Sequence, residues 1–175
     1  MFSYNYKRDM PGAAVPTIHK GAMIMRILID ADGCPVVDIA VNEAKSRGLD
    51  CVILCDTAHV IERPGICTIT VEKGADSVDF KLVNLLSPGD IAVTQDYGLA
   101  AMCLARRAVP ISQNGLVFTE QNIDALLLSR HTAKKIRRQG GRLKGPAKRT
   151  PPQDEDFRRA LIRVLDENME GGGLT

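Results

Sequence analysis

Met25-Arg-Ile-Leu-Ile-Asp30-Ala-Asp32-Gly33-Cys34-Pro35 decides how this chain is read. A short, uninterrupted apolar run ends in an acid, then a turn, then a proline. Such a run reads as a strand buried on both faces, which is the habit of parallel sheets. Pro35 stands where a helix can open, because its missing N–H is not needed there. Val36, Ile39, Ala40 and Ala44 follow at helical spacing, and Gly48 ends that helix.

The same strand-then-helix alternation continues. Cys51–Cys55 and Ile66–Val71 read as strands, Ser77–Leu86 as a helix stopped by Pro88-Gly89, and Asp90–Thr94 as a fourth strand. Tyr97–Arg107 reads as a helix and Val109-Pro-Ile-Ser112 as an edge strand, since Pro110 donates nothing to a ladder. Thr119 to about Gln139 reads as a long helix whose last turns are basic. Gly140, Gly141, Gly145, Pro146, Pro151 and Pro152 break regular structure. Phe157, Ala160, Leu161, Val164 and Leu165 then mark an amphipathic helix over 154–169, followed by a tail at 171–175. The expected architecture is a three-layer α/β/α domain over 25–170 with a central, mainly parallel sheet and a C-terminal helical extension. Residues 1–24 show no period and are expected to form a flexible N-terminal extension, with Met23 and Met25 as alternative starts.

Composition agrees with one such domain. The chain has 175 residues, 45% hydrophobic and 25% charged, enough to bury a core without cross-links. No apolar run approaches the roughly 18 residues of a membrane span, and no signal-peptide core precedes Met25. Five cysteines (34, 51, 55, 67, 103) make an odd count with no disulfide pattern, so a reduced, cytoplasmic setting is expected. Net charge is +2, but residues 130–149 hold nine bases and no acid, leaving 14 bases against 21 acids elsewhere. A basic arm therefore rides on a mildly acidic body.

In a parallel sheet the strand-to-helix junctions share one edge, and ligands bind there. The junctions here are acidic: Asp30 and Asp32 after the first strand, Asp76 and Asp79 before the third-strand helix, Asp96 after the fourth strand, and less sharply Asp56-Thr-Ala-His59. Crowded carboxylates repel, and a hard divalent cation, Mg²⁺ or Mn²⁺, relieves them. Asp76 and Asp79 are three apart and share a helix face. The plainer reading is that Asp76 and Asp96 only cap helices, and that Asp30 bonds to nearby backbone amides. An acid ending a buried strand nevertheless costs solvation unless it has a partner.

Ile27-Leu-Ile-Asp30-Ala-Asp32-Gly-Cys-Pro35, Lys73-Gly-Ala-Asp76-Ser-Val-Asp79, Thr94-Gln-Asp96-Tyr-Gly-Leu-Ala100 and the loop Gly140-Gly-Arg-Leu-Lys-Gly-Pro146 resemble the YaiI/YqxD family of uncharacterised bacterial proteins. The resemblance spans roughly Met25–Leu165. That family is in turn similar to PIN-like nucleases, which implies a PIN-like fold and RNA cleavage with Mg²⁺ or Mn²⁺. It assigns metal ligation to Asp30, Asp79 (or Asp76) and Asp96; Asp32 and Asp76 are expected beside them as auxiliary carboxylates of the catalytic group that orient water. Glu43 is comparable with a helix glutamate of PIN domains, but its position on the first helix fits poorly.

The expected function is a metal-dependent ribonuclease hydrolysing phosphodiesters. RNA is the expected partner and no membrane is involved. Arg130, Lys134, Lys135, Arg137, Arg138, Arg142 and Lys144 would hold its backbone without reading sequence. One alternative is a catalytically inactive RNA-binding protein of the same fold, which keeps the basic arm and uses the Asp cluster structurally; the plainer reading of the arm itself is a solvated face that aids solubility. A second is a phosphatase of the haloacid-dehalogenase type, from Asp30-Ala-Asp32-Gly33, although the later Lys and acidic motif of that class are missing. A zinc site at Cys51, Cys55, His59 and Cys67 is disfavoured, because residues four apart on a strand lie roughly 13 Å apart. Cys34 has no nearby His in sequence to activate it as a nucleophile.

Overall fold

The computed structural model describes residues 25–72, 74, 76–138 and 148–171. The expected N-terminal extension, the glycine-rich loop and all but the first residue of the expected tail lie outside them. The elements in chain order are β1 (Ile27–Asp30), α1 (Val37–Arg47), β2 (Cys51–Asp56), β3 (Cys67–Val71), α2 (Ser77–Leu85), β4 (Ile91–Val93), α3 (Tyr97–Ala105), β5 (Val109–Ile111), α4 (Ile123–Arg138) and α5 (Pro151–Gly171). The five strands form one sheet in the order β3-β2-β1-β4-β5, and every pair is parallel.

Strand alternation sorts the core into two layers. Ile27, Ile29, Ile53, Ile91 and Val93 face one side, where α1 and α5 cover them with Val37, Ala40, Ala44, Phe157, Leu161 and Leu165. Leu28, Val52, Leu54 and Ala92 face the other side, covered by α2 and α3 through Val78, Leu82, Leu99 and Cys103. Helix α4 packs outside α3, where Ala100, Phe118 and Ile123 form a small third cluster. Three layers with helices on both faces are thus the observed architecture.

Local chemistry explains several boundaries. Gly48 caps α1 in the left-handed region, φ +65°, as its sequence position predicts. Pro35 does not open α1; it lies in the turn before it, and Val36 is the N-cap. Helix α4 starts at Ile123, four residues later than expected, because Asn122 first folds back: its Oδ1 accepts from Thr119 N at 3.0 Å. Pro151 and Pro152, expected to break structure, instead open α5. Prolines suit the first turn, and Thr150-Pro-Pro-Gln153 forms the backbone half of a capping box, with Thr150 N donating to Gln153 Oε1 at 2.8 Å.

The alternation of strand and helix breaks between β2 and β3, and α4 and α5 follow one another as helices. β2 reaches β3 through residues 57–66 with no helix, and Lys45 Nζ donating to Pro64 O at 2.8 Å ties that loop to α1. At the amino-terminal edge of the sheet, Asp90 is 1% exposed and fully engaged: Arg26 Nη2 meets its Oδ2 at 2.6 Å, and Ser87 N donates to the same atom. This buried acid is structural.

The strand order changes direction between β1 and β4. β1 leads by α1 to β2 on one side, while α2 carries the chain from β3 across to β4 on the other. The crevice beyond the carboxyl ends of β1 and β4 is where such sheets bind ligands.

Candidate functional site: an acid cluster at the sheet switch point

Asp30 ends β1 and opens this crevice. Its Oδ2 accepts from Thr94 Oγ1 at 2.8 Å, and Thr94 Oγ1 accepts in turn from Asp96 N at 3.1 Å. Because the Thr94 oxygen is already accepting, its hydroxyl proton is free to point at Asp30. Thr94 is 1% exposed, so this link is fixed by packing. Burial pushes the Asp30 carboxyl up to about 6; the Thr94 bond works against this, while the charges of Asp79, Asp32 and Asp96 add to it.

Asp79, on the first turn of α2, is also pushed upward, by burial first and then by the charges of Asp96 and Asp76. Asp76 precedes α2 with φ +58°, a left-handed conformation uncommon for any residue but glycine. Its side chain makes no capping bond, so the capping explanation of Asp76 fails. That explanation holds for Asp96, whose Oδ1 accepts from Gly98 N at 2.7 Å and Leu99 N at 3.1 Å. Asp96 does more than cap, because Arg130 Nη1 meets its Oδ2 at 2.7 Å. Burial would raise the Asp96 carboxyl, but the Arg130 bond and the helix amides outweigh it and hold the group below its ordinary value.

Asp32 is exposed and its Oδ1 accepts from Asp56 N at 3.2 Å. Asp32, Asp56 and His59 each offer a ligand atom within 4.8 Å of the others, and they are the one such group among the described residues. Local bonds already employ Asp56: its Oδ1 accepts from Ala58 N and His59 N and lies 3.2 Å from His59 Nδ1. Beside them opens a shallow cavity of about 350 Å³ lined by Ala31, Cys34, Pro35, His59, Val60 and Ile61.

The charges of Asp79, Asp32 and Asp96 act on Asp30, and those of Asp96, Asp76 and Asp32 act on Asp79. Asp30, Asp79 and Asp96 do not form a group whose ligand atoms all lie within 4.8 Å of one another, as Asp32, Asp56 and His59 do. Sequence reading did not single out Thr94 as a site residue, although its place two residues before Asp96 is visible in the chain. Glu43 is excluded from the crevice: it is buried between α1 and α5, bonded to Arg47 and Arg158. Cys51, Cys55 and Cys103 are buried and free, and burial pushes the Cys51 and Cys103 thiols up to about 12, which makes them inert packing groups. The Cys34 thiol is pushed up to about 11 for the same reason.

Arg130, Lys134, Lys135, Arg137 and Arg138 take positions along α4. Arg142 and Lys144 lie outside the described residues. Arg149, from the same basic run, is a structural clamp, donating to Asp154, Asn114 and two backbone carbonyls.

A model of the uncharacterised YaiI/YqxD family matches residues 28–167. The chain belongs to the YaiI/YqxD family. Among its relatives, a UPF0178 protein of Exiguobacterium sibiricum is 54% identical over 146 residues, covering 83% of this chain and 100% of that protein. One from Ruminiclostridium cellulolyticum is 47% identical over 147 residues, covering 84% and 96%. One from Enterococcus faecalis is 38% identical over 148 residues, covering 83% and 100%. No solved structure matches the chain significantly. The matched range includes Asp30, Asp32, Asp56, Asp76, Asp79 and Asp96 and leaves residues 1–24 outside. Among the described residues no helix is long and apolar enough to cross a membrane.

Proposed function

We propose that this YaiI/YqxD protein is a metal-dependent ribonuclease whose centre is the acid cluster at the switch point. The observation that carries the reading is the placement of Asp30 at the end of β1, Asp79 in the first turn of α2 and Asp96 at the start of α3, around the point where the strand order reverses, with Asp30 and Asp79 pushed upward by burial and then by neighbouring carboxylates. Carboxylates crowded at a ligand-binding edge favour a cation, and an all-oxygen donor set suits Mg²⁺ or Mn²⁺ over softer metals.

Asp30, Asp79 and Asp96 would hold the ion, with Asp32 and Asp76 orienting water around it. A divalent cation there supplies charge neutralisation at a phosphoryl group and a more acidic water. Thr94 holds the Asp30 carboxylate in place. Arg130 and the bases of α4, continuing through Arg142 and Lys144, attract the phosphate backbone without selecting sequence. Residues 25–170 act as one PIN-like domain, with 130–150 as its RNA-facing basic segment. An odd count of five cysteines with no disulfide pattern in their spacing supports a cytoplasmic setting.

A second reading, RNA binding without catalysis, is favoured by the double engagement of Asp96 as helix cap and ion-pair partner. The deciding experiment is cleavage of a labelled single-stranded RNA with Mn²⁺ or Mg²⁺, comparing wild type, Asp30→Asn and Asp96→Asn. Cleavage abolished by both substitutions and by EDTA is the expected result. RNA binding without cleavage would leave the second reading, and hydrolysis of a simple phosphomonoester with RNA untouched would mean a phosphatase.

A further inference from the structure

Asp96 has two carboxylate oxygens and both are occupied. Oδ1 accepts two amide bonds at the start of α3, from Gly98 and Leu99, at 2.7 and 3.1 Å. A Cβ added at Gly98 would stand 3.0 Å from that oxygen, so the amides close tightly around it. Releasing Oδ1 means uncapping the helix. Oδ2 is the exchangeable oxygen, and Arg130 Nη1 holds it at 2.7 Å.

The Arg130 contact is of a kind that yields. Its side chain is 55% exposed and that of Asp96 is 36% exposed, so water competes for both. The guanidinium also lies over the Tyr97 ring, 5.9 Å from its centroid. Tyr97 is itself braced edge-on by Phe118, with 5.7 Å between ring centroids. That platform gives the guanidinium a resting place beside the acids that does not depend on Asp96. Its charge reaches beyond Asp96 and works against the upward push on the Asp79 carboxyl. Arg130 thus sits at the cluster as a monovalent cation supplied by the protein.

We propose that Arg130 is a displaceable counter-ion of the acid cluster, occupying the Asp96 Oδ2 position that a divalent cation takes, so that metal binding and the Arg130–Asp96 ion pair exclude each other. This rests on the reading of the cluster as a metal centre. Metal-free protein keeps the cluster partly neutralised by Arg130. With a divalent ion bound, Arg130 would give up Asp96 Oδ2 and its guanidinium would remain over Tyr97, toward solvent.

The test is titration of the full chain with Mn²⁺, reading free Mn²⁺ by electron paramagnetic resonance, with metal-free thermal melts to confirm folding. Arg130→Gln should bind Mn²⁺ about five- to tenfold more tightly than wild type, having lost both the competitor and its repulsion. Arg106→Gln removes an exposed base at the far end of α3 and should bind as wild type does. Asp30→Asn, which can still accept from Thr94, should bind weakly. If Asp30→Asn weakens binding while Arg130→Gln binds no more tightly than wild type, the counter-ion role is overturned and the metal centre stands. Equal tightening in Arg106→Gln also overturns it, since net charge alone would then explain the gain. If neither wild type nor Arg130→Gln binds Mn²⁺ in the millimolar range, the metal centre fails and the counter-ion role falls with it.

Discussion

Thr94 Oγ1 donates to Asp30 Oδ2 across 2.8 Å, joining the carboxyl ends of β4 and β1 at the point where the strand order reverses. One hydroxyl thereby orients the most buried acid of the cluster and, by accepting from Asp96 N, the start of α3. Thr94→Val has nearly the same shape but removes both bonds. It should weaken Mn²⁺ binding about tenfold, as loss of a ligand-orienting partner commonly does. Thr94→Ser should recover most of the loss. A Val variant with unchanged Mn²⁺ affinity would show that Thr94 does not position Asp30.

Asp30 should make stability depend on pH. Its ordinary value is 3.8 and burial raises it to about 6 in the folded chain. Between these values the native state binds the proton more tightly than the unfolded state. Stability therefore falls as pH rises from about 4 to about 6, and is constant above that as far as this group is concerned. The expected loss is on the order of 2–3 kcal/mol. Other acids, such as Asp96 and Asp38, are held low and act in the opposite direction. The quantity to follow is thus the difference between wild type and Asp30→Asn in urea unfolding, measured with EDTA at several pH values. Asp30→Asn should become the relatively more stable protein as pH passes through this window; parallel curves would contradict the assignment.

Arg26 and Asp90 form an ion pair around a buried carboxylate at the opposite edge of the sheet. Asp90→Ala leaves Arg26 without its carboxylate and Ser87 N without its acceptor. Removing one member of a buried pair costs roughly 3 kcal/mol, read as a lower urea midpoint. Mn²⁺ affinity of the folded variant should match wild type, because Asp90 lies a full strand length from the acid cluster.

Gly115→Ala should loosen α5 without touching the crevice. Gly115 has φ +81°, and an added Cβ would lie 2.8 Å from Asp156 O, a backbone atom of α5. Strain and collision together should cost about 2 kcal/mol. Thermal melts test this directly; a Tm within a degree of wild type would show that α5 can shift at no cost.

The residues themselves determined much of this protein. Ile27-Leu-Ile-Asp30 reads as a strand buried on both faces, because no polar position interrupts it, and the four further strands and the helices after them are legible from the same local patterns. Local alternation is a nearest-neighbour property, so it survives without knowledge of the rest of the chain. The junction acids were visible for the same reason, since parallel crossovers put every such junction at one edge. Pro151 is ambiguous in the sequence because a proline both ends and begins helices, and only Thr150 and Gln153 closing on each other decide which. What the tertiary structure alone decided is which acids are partnered and by what. Asp90, Glu43 and Asp30 look alike in sequence, yet folding pairs Asp90 with Arg26, ties Glu43 to Arg158 across 115 positions, and leaves Asp30 with a hydroxyl and three repelling neighbours. Desolvation and charge pairing depend on groups distant in the chain, and their positions exist only once the sheet has closed.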